Sequence, residues 1–215
     1  MNLEKLFATI SGLSGTYRFS NAKLMSPENV LEHMGGVVLT CYLLCREMNK
    51  ITPETIDSWS VMAKAAIHDV EELLMGDIPR STKYATKESR SVFLAQEKWA
   101  MVRIMEDLDL KCADEVIYDH YAAKLLPSGV IVEIADVLAV VGKVYEECIE
   151  RSNHSMISRA SSCRGQIIKS MNRVKDQDWS QDVKIFLSSV LMQAMRVIDQ
   201  AEGRMSGSMI SEVMS

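Results

Sequence analysis

The 215-residue chain predicts an all-α, single-domain helical bundle. Three observations carry that reading: apolar residues recur at spacings of three and four along most of the chain, helix-starting and helix-stopping residues punctuate those stripes, and no strand-like alternation or internal repeat emerges. The stretch "GVIVEIADVLAVVG" is apolar enough to argue as a strand, but its length favours a helix. A chain of this size buries a core without disulfide or metal staples.

The elements follow in order. Ser26-Pro27 and Thr52-Pro53 each set a capping hydroxyl before a proline at a first helical position, where its missing N–H does no harm, so helices are expected to begin there. After the first start, Val30, Met34, Val37, Val38, Cys41, Leu44, Cys45 and Met48 form a stripe, and His33 falls on it. The second helix is expected over residues 53–75, stopped by Gly76 with Pro79 just beyond. Residues 87–108 read as a third, with Phe93, Leu94, Trp99, Val102, Ile104 and Met105 as inner candidates, and 114–125 as a shorter piece ending near Pro127-Ser128-Gly129. "VIVEIADVLAVVGKVYEECIE" reads as a central helix with Asp136 inside its apolar run. Helices over 156–174 and 179–200 complete a domain expected to span 1–201, and the Met- and Ser-rich tail, 202–215, is expected to be mobile.

Composition narrows the function. Hydrophobic residues at 47% and charged residues at 25% fit a soluble globular protein, and with aromatics at 6% the 15 methionines join leucine as core filler. A net charge of -5 argues against a broad basic surface, so no nucleic acid polymer is expected as partner and any phosphate must be held locally. The five cysteines are odd in number and lack a C-x-x-C pair, which predicts small core residues in a reducing compartment. Glu4 and Lys5 interrupt any signal-peptide pattern, and no apolar run reaches about 18 residues, so a cytoplasmic location without membrane attachment is expected.

Three inner-face positions then demand explanation: His33, the doublet His68-Asp69, and Asp136. Burying an isolated carboxylate or imidazole costs several kcal/mol unless something compensates it. The economical account is that the helices meet and share a divalent cation (Co, Mn, Zn, Mg or Fe), with imidazole and carboxylate as ligands and positions left open for water and substrate. Helical neighbours lie about 100° apart, so His68 and Asp69 can both reach one ion only at a helix-helix seam.

The pattern H…HD…D, here His33, His68, Asp69 and Asp136, resembles the HD-domain phosphohydrolases. More closely, "SPENVLEHM", "IHDVEELLMGDIPRSTKY" and "EIADVLAVVGKVYEE" resemble the bacterial 5'-deoxynucleotidases of that superfamily and the related phage dATP triphosphohydrolases, over about residues 12 to 150. The resemblance implies a bundle of the HD-domain type, the four residues above as metal ligands, Asp69 and Glu72 as catalytic carboxylates, and Arg18, Phe19, Asp77 and Lys83 around the substrate. It implies cleavage of the 5'-phosphate ester of a deoxynucleotide, with a dATP-preferring triphosphohydrolase as one alternative and an inactive nucleotide-binding regulatory module as another. It also implies a homo-oligomer, and a host cytoplasm if the chain is phage-encoded. Phe19 departs from the family's tryptophan: the apolar wall against a ribose 2'-hydroxyl survives without a hydrogen-bond donor.

The remaining residues take plainer readings. Glu71 is expected to face solvent, His120 and His154 to lie on the surface, and Trp59, Trp99 and Trp179 to pack between helices. Tyr17 and Tyr84 read as packing. Arg80 would suit a triphosphate, while Lys87 and Arg90 read as a solvated charged face.

Overall fold

Ten α-helices carry the described residues. A computed structural model describes residues 1–52, 55–122 and 127–213; the side chains of Ala122, His154 and residues 204–213 lie outside that description, and with them the readings of His154 and of the tail. Helix α1 (Leu3–Gly15) precedes the first helix the sequence signalled, and Gly12 lets it approach so closely that a Cβ there would meet Leu73. Helix α2 (Val30–Ile51) begins four residues later than Ser26. Its cap is Asn29, joined with Glu32 in a reciprocal capping box. Pro27 starts no helix because the chain around it is occupied otherwise: Tyr17 and Asn29 form a short antiparallel bridge, and the Ser26 N–H is donated to Glu147 at 2.8 Å.

The helix expected over 53–75 is broken. Its start at Pro53 falls outside the described residues; α3 (Ser58–Ala65) is capped by Asp57, and α4 (Glu72–Met75) is a single turn. Between them the hydrogen bonds tighten to three-residue steps: Ile67 to Lys64, Val70 to Ile67, Glu72 to Asp69 and Leu73 to Val70. A three-residue repeat eclipses side chains at i and i+3, which puts Asp69 and Glu72 on one side and His68 and Glu71 on another. Gly76, at φ +70°, ends this segment in a conformation that L side chains rarely adopt.

Helices α5 (Arg80–Lys83) and α6 (Lys87–Leu108) follow, the latter with the bounds its pattern predicts, then α7 (Ala113–Ala122). Helix α8 (Pro127–Val144) starts at the proline rather than after it and passes into a π-helix over Tyr145–Glu150. Helices α9 (Ile157–Lys175) and α10 (Gln181–Val213) close the bundle. No helix among the described residues is long and apolar enough to cross a membrane.

The interior forms two apolar clusters. One joins α2, α3, α8, α9 and α10 through residues such as Val37, Cys41, Ile134, Ile167 and Leu187; the other joins α1, the start of α2, the 67–73 segment, α6 and α7 through Leu13, Val30, Met34, Val70, Met101 and Ile104. His33 sits on α2 where Met34 of one cluster gives way to Val37 of the other. All five cysteines are free, and only Cys112 is exposed. Trp59 and Trp99 do not pack between helices as expected; they are 80% and 62% exposed, while Trp179 packs on the larger cluster. Aromatic size alone does not decide burial when the helix face outside it has no neighbour.

The π-helical turn buries Glu147 completely. Its carboxylate accepts from the backbone N–H groups of Met25 and Ser26 at 2.9 and 2.8 Å and from Asn153 Nδ2 at 2.5 Å, with Lys143 Nζ 3.6 Å away. Asn153 and Ser155 also donate to the Lys23 carbonyl, so the loop after Phe19 is fastened to the end of α8. Burial works against ionisation of Glu147, but these donors outweigh it and hold its pKa below the usual carboxylate value. Glu147→Gln removes the charge and one acceptor and is expected to cost about 2 kcal/mol, lowering Tm by about 4–8 °C. Because the native pKa is depressed, that stabilisation is present above about pH 4.5 and is lost as pH falls through the native value. Melting curves of both proteins from pH 3 to 8 should converge at the acid end; parallel curves would contradict the assignment.

Candidate active site

Three elements deliver the sequence-predicted ligands to one point. His33 comes from the first turn of α2, His68 and Asp69 from the tightened segment, and Asp136 from the middle of α8. His33 Nε2 lies 3.3 Å from His68 Nε2, 3.6 Å from Asp69 Oδ2 and 3.2 Å from Asp136 Oδ1, and His68 Nε2 is 3.2 Å from Asp69 Oδ2. Ligand atoms of His33, His68 and Asp136 all fall within 4.8 Å of one another.

The donor set fits a divalent cation. His68 Nδ1 lies 2.7 Å from the Ala65 carbonyl, which can only accept, so Nδ1 carries the proton and Nε2 of the neutral ring turns a lone pair into the cluster. That lone pair faces both the Asp69 carboxylate and a second imidazole nitrogen, an arrangement that needs either an extra proton or a cation between them. Asp136 Oδ1 is buried without a hydrogen-bond partner among the described residues. Burial opposes protonation of His68, but Asp69, Asp136 and the Ala65 carbonyl overcome it and raise the imidazole to about 9. Desolvation opposes ionisation of Asp69 and Asp136 too; the imidazoles and Arg18 prevail and hold both carboxyls low.

A cleft of about 530 Å³ opens beside this cluster, within the usual size of small-ligand sites. Arg18 projects into it with Nε and Nη1 buried and lacking hydrogen-bond acceptors, 3.5 Å from Glu28 and 4.0 Å from Asp136. Burial of its guanidinium is outweighed by Asp69, Asp136, Glu72 and Glu28, so its pKa is raised further. Glu72, one step of the tightened segment beyond Asp69, lines the same cleft with Oε2 buried and without a hydrogen bond. Burial, then the charges of Asp69 and Asp77, push its carboxyl up to about 9 against the pull of Arg18 and Lys83.

Phe19 is 5% exposed with its backbone at φ 58°, in the left-handed region that costs a non-glycine residue about 1–2 kcal/mol. Asp77 holds it there by accepting the Phe19 N–H at 2.5 Å, and Arg18 and Arg159 stand over its ring at 5.2 and 5.6 Å. Lys83 also lines the cleft, but its ammonium is engaged with Glu97 at 3.2 Å and Glu72 at 3.9 Å.

Sequence reading missed the second layer. Glu71 is 3% exposed and His120 1%, not surface residues; His120 Nδ1 lies 3.0 Å from the Ile67 carbonyl and Nε2 3.8 Å from Glu71. This imidazole braces the tightened segment from α7. The signal was available: Ala113, Val116, Ile117 and His120 form a stripe at helical spacing, the same pattern that drew attention to His33. Glu97 and Arg159, also in the cleft, carry no such mark.

An all-helical bundle that brings a histidine, a His-Asp doublet and a distant aspartate to one point is the arrangement of the HD-domain phosphohydrolases. Residues 5–194 match the family model described as 5'-deoxynucleotidase YfbR-like, and the chain belongs to that family. Among relatives, it is 22% identical over 192 residues to a 5'-deoxynucleotidase of Enterobacter sp. (strain 638), covering 88% of this chain and 93% of that one. It is 24% identical over 190 residues to the 5'-deoxynucleotidase YfbR of Escherichia coli, covering 85% and 91%. Its fold is that of an HD-domain phosphohydrolase from Listeria innocua (TM-score 0.71, 20% identity, 99% of both chains). It is also that of the cyanophage S-2L HD phosphohydrolase, solved with dA and one catalytic Zn2+ ion (TM-score 0.62, 19% identity, 93% of this chain and 97% of that one).

If the cluster holds a cation, stripped protein should take up one Co2+ or Mn2+ per chain, with a rise in Tm and release of a proton as His68 becomes neutral. Asp136→Ala should lose most of that affinity. Calorimetry in buffers of different ionisation enthalpy reads both; unchanged uptake by the variant would remove Asp136 from the ligand set.

Proposed function

We propose that the chain is a metal-dependent phosphohydrolase of 2'-deoxyribonucleotides that cleaves the 5'-phosphate ester, with a deoxynucleoside monophosphate as the basic substrate. The observation that carries this reading is the juxtaposition of the His33, His68, Asp69 and Asp136 cluster with the acceptor-starved guanidinium of Arg18 in a cleft of nucleotide size. The substrate class rests on the 5'-deoxynucleotidase relatives and on the dA held by the cyanophage neighbour.

His33, His68, Asp69 and Asp136 hold the divalent cation, which would be Co, Mn, Zn, Mg or Fe and would supply Lewis acidity toward the phosphate and the attacking water. The chain's own groups do the rest. Arg18 gives its free donors to phosphate oxygens. Asp69 and Glu72, three residues apart on the tightened turn, orient the water and receive its proton. Burial is the largest cause of the raised Glu72 carboxyl, and a cation at Asp69 would offset one of the two carboxylate charges that raise it further. Phe19, held by Asp77, walls the sugar where a 2'-hydroxyl would otherwise sit. Lys83 acts on Glu72 as its counter-charge. The protein is a homo-oligomer that resides in the cytoplasm; exposed Leu39, Tyr42 and Leu43 on α2 give it an apolar patch of the kind subunit contacts bury.

Metal-stripped protein supplied with each cation in turn, against a panel of deoxyribo- and ribonucleotides, should release inorganic phosphate from deoxynucleoside monophosphates; no release with any cation would sink the reading. Glu72→Gln should bind metal normally and turn over at least about a hundredfold more slowly, measured by phosphate release. Phe19→Ala should erode the preference for dAMP over AMP by about tenfold, and an unmoved ratio would detach Phe19 from sugar selection.

A further inference from the structure

The tightened segment presents three rows of side chains. Ile67, Val70 and Leu73 belong to the smaller apolar cluster, Asp69 and Glu72 stand together on a second side, and His68 and Glu71 on a third. Its own hydrogen bonds are long around the His-Asp doublet: the Ile67 N–H meets the Lys64 carbonyl at 3.3 Å and the Val70 N–H meets the Ile67 carbonyl at 3.4 Å. Relaxation into a regular helix would turn Glu72 about 60° away from Asp69, so something outside the backbone must hold the step at three. His120 is placed to do so. Its Nδ1 lies 3.0 Å from the Ile67 carbonyl, which can only accept, so Nδ1 carries the proton, and Nε2 lies 3.8 Å from Glu71 Oε2. One imidazole thus meets the segment at residues 67 and 71, on either side of Asp69. Its neighbours on α7 fix the ring in turn: Asp119 faces the buried Lys64 of α3 at 3.5 Å, and Tyr121 packs edge-on against the imidazole with ring centroids 5.0 Å apart. Helix α7 is therefore keyed to the last turn of α3, before the step changes, and to the tightened segment after it. At 1% exposure, His120 offers a nucleotide almost no surface of its own.

We propose that His120 is a positioning residue for the reaction: by clamping residues 67 and 71 it keeps Glu72 eclipsed with Asp69, so that the carboxyl receiving the proton of the attacking water stays aligned with the cluster. This rests on the phosphohydrolase reading above and adds to it a residue of α7, an element that contributes no ligand. The clamp acts through Glu72 and not through the cation. His33 and Asp136 are carried by α2 and α8, and His68 is held by the Ala65 carbonyl, so loss of the clamp leaves metal uptake nearly intact. The donor at Nδ1 matters most, because it is the one that meets the backbone.

The test compares wild type with His120→Asn, His120→Gln, Glu72→Gln and the double variant His120→Gln/Glu72→Gln. An asparagine amide N–H stands close to the place of Nδ1 and keeps the bond to Ile67, whereas a glutamine amide reaches toward the place of Nε2 and gives that bond up. His120→Gln should lower kcat for dAMP by at least about tenfold with KM and calorimetric metal uptake within about twofold, and His120→Asn should return kcat to within about threefold of wild type. In the Glu72→Gln background, His120→Gln should cost less than about twofold, since the group it positions is already disabled. Losses that multiply, a KM that rises as much as kcat falls, or an asparagine variant as slow as the glutamine one each overturn the proposal. Should His120→Gln fail to fold, Glu71→Gln, which loosens the other end of the clamp, takes its place in the cycle, where multiplying losses overturn the proposal equally. If the wild type cleaves no nucleotide with any cation, the phosphohydrolase reading fails by itself, and hydrogen exchange of the metal-free proteins still decides the clamp. Amides of residues 67–72 should exchange at least about tenfold faster in His120→Gln than in wild type or His120→Asn, and equal rates remove the clamp.

Discussion

Two carboxylates and two imidazoles meeting at a largely buried point is the constraint from which the rest of this structure follows. Asp69 and Asp136 are held ionised against desolvation, and His33, His68 and Arg18 are the cationic or polar groups that face them. Such a cluster is tolerable only if its members cannot drift apart, since each alone would be a costly buried group. The two apolar clusters supply that rigidity from either side, with His33 at their junction on α2. The tightened 66–71 segment supplies the rest. A regular helix would splay His68 and Asp69 by about 100°, and changing the hydrogen-bond step from four residues to three rotates Asp69 and Glu72 onto one side at the cost of weaker hydrogen-bond geometry. The Ala65 and Ile67 carbonyls receive imidazole nitrogens of His68 and His120 in partial compensation.

A second set of contacts aims Arg18 and Phe19, which lie on a loop and not on a helix. The loop is fixed along its length: by the Tyr17–Asn29 bridge at its base, Asp77 on the Phe19 N–H, Asn153 and Ser155 on the Lys23 carbonyl, and Glu147 beneath Met25 and Ser26. Asp77 belongs to the Gly-Asp-Ile-Pro turn directly after the tightened segment, and Glu147 to the π-helical end of the helix that carries Asp136. The loop is therefore referenced to the same two elements that carry the ligands. This is how a strained φ at Phe19 persists: the surroundings over-determine it.

Much of this was legible. The helix over 87–108, the central helix with Asp136 and the all-α class follow from periodicity and punctuation, and the convergence of the H…HD…D residues from the cost of burying each alone and from the family resemblance. What escaped did so for physical reasons. Over six residues a period of 3.0 cannot be told from 3.6, so the break between α3 and α4 left no trace in the stripe. Pro27 after a serine carries a genuine start signal, and it is overridden by Glu147, a partner 121 residues away. Lys83 reads as a free cation until Glu97, on the next helix, is seen beside it. Local rules locate elements and apolar faces; they do not report which charge a side chain has already spent.

That last distinction bears on function more than the fold does. Around the cluster the carboxylates of Asp69, Asp77 and Asp136 outnumber Arg18 and the imidazolium of His68, so the inner cleft on its own gives an anion no net attraction. A nucleotide is drawn in only when positive charge is added there, and the ligand geometry lets a divalent cation add it at the one place where the carboxylates are already ionised. Farther out the cleft is lined by Arg80 and Arg90, which stand over the Tyr84 ring with no carboxylate partner among the described residues. A cleft with carboxylates within and arginines farther out sorts charge by position: positive charge at depth is favourable at the cluster, and negative charge is favourable only where the arginines stand.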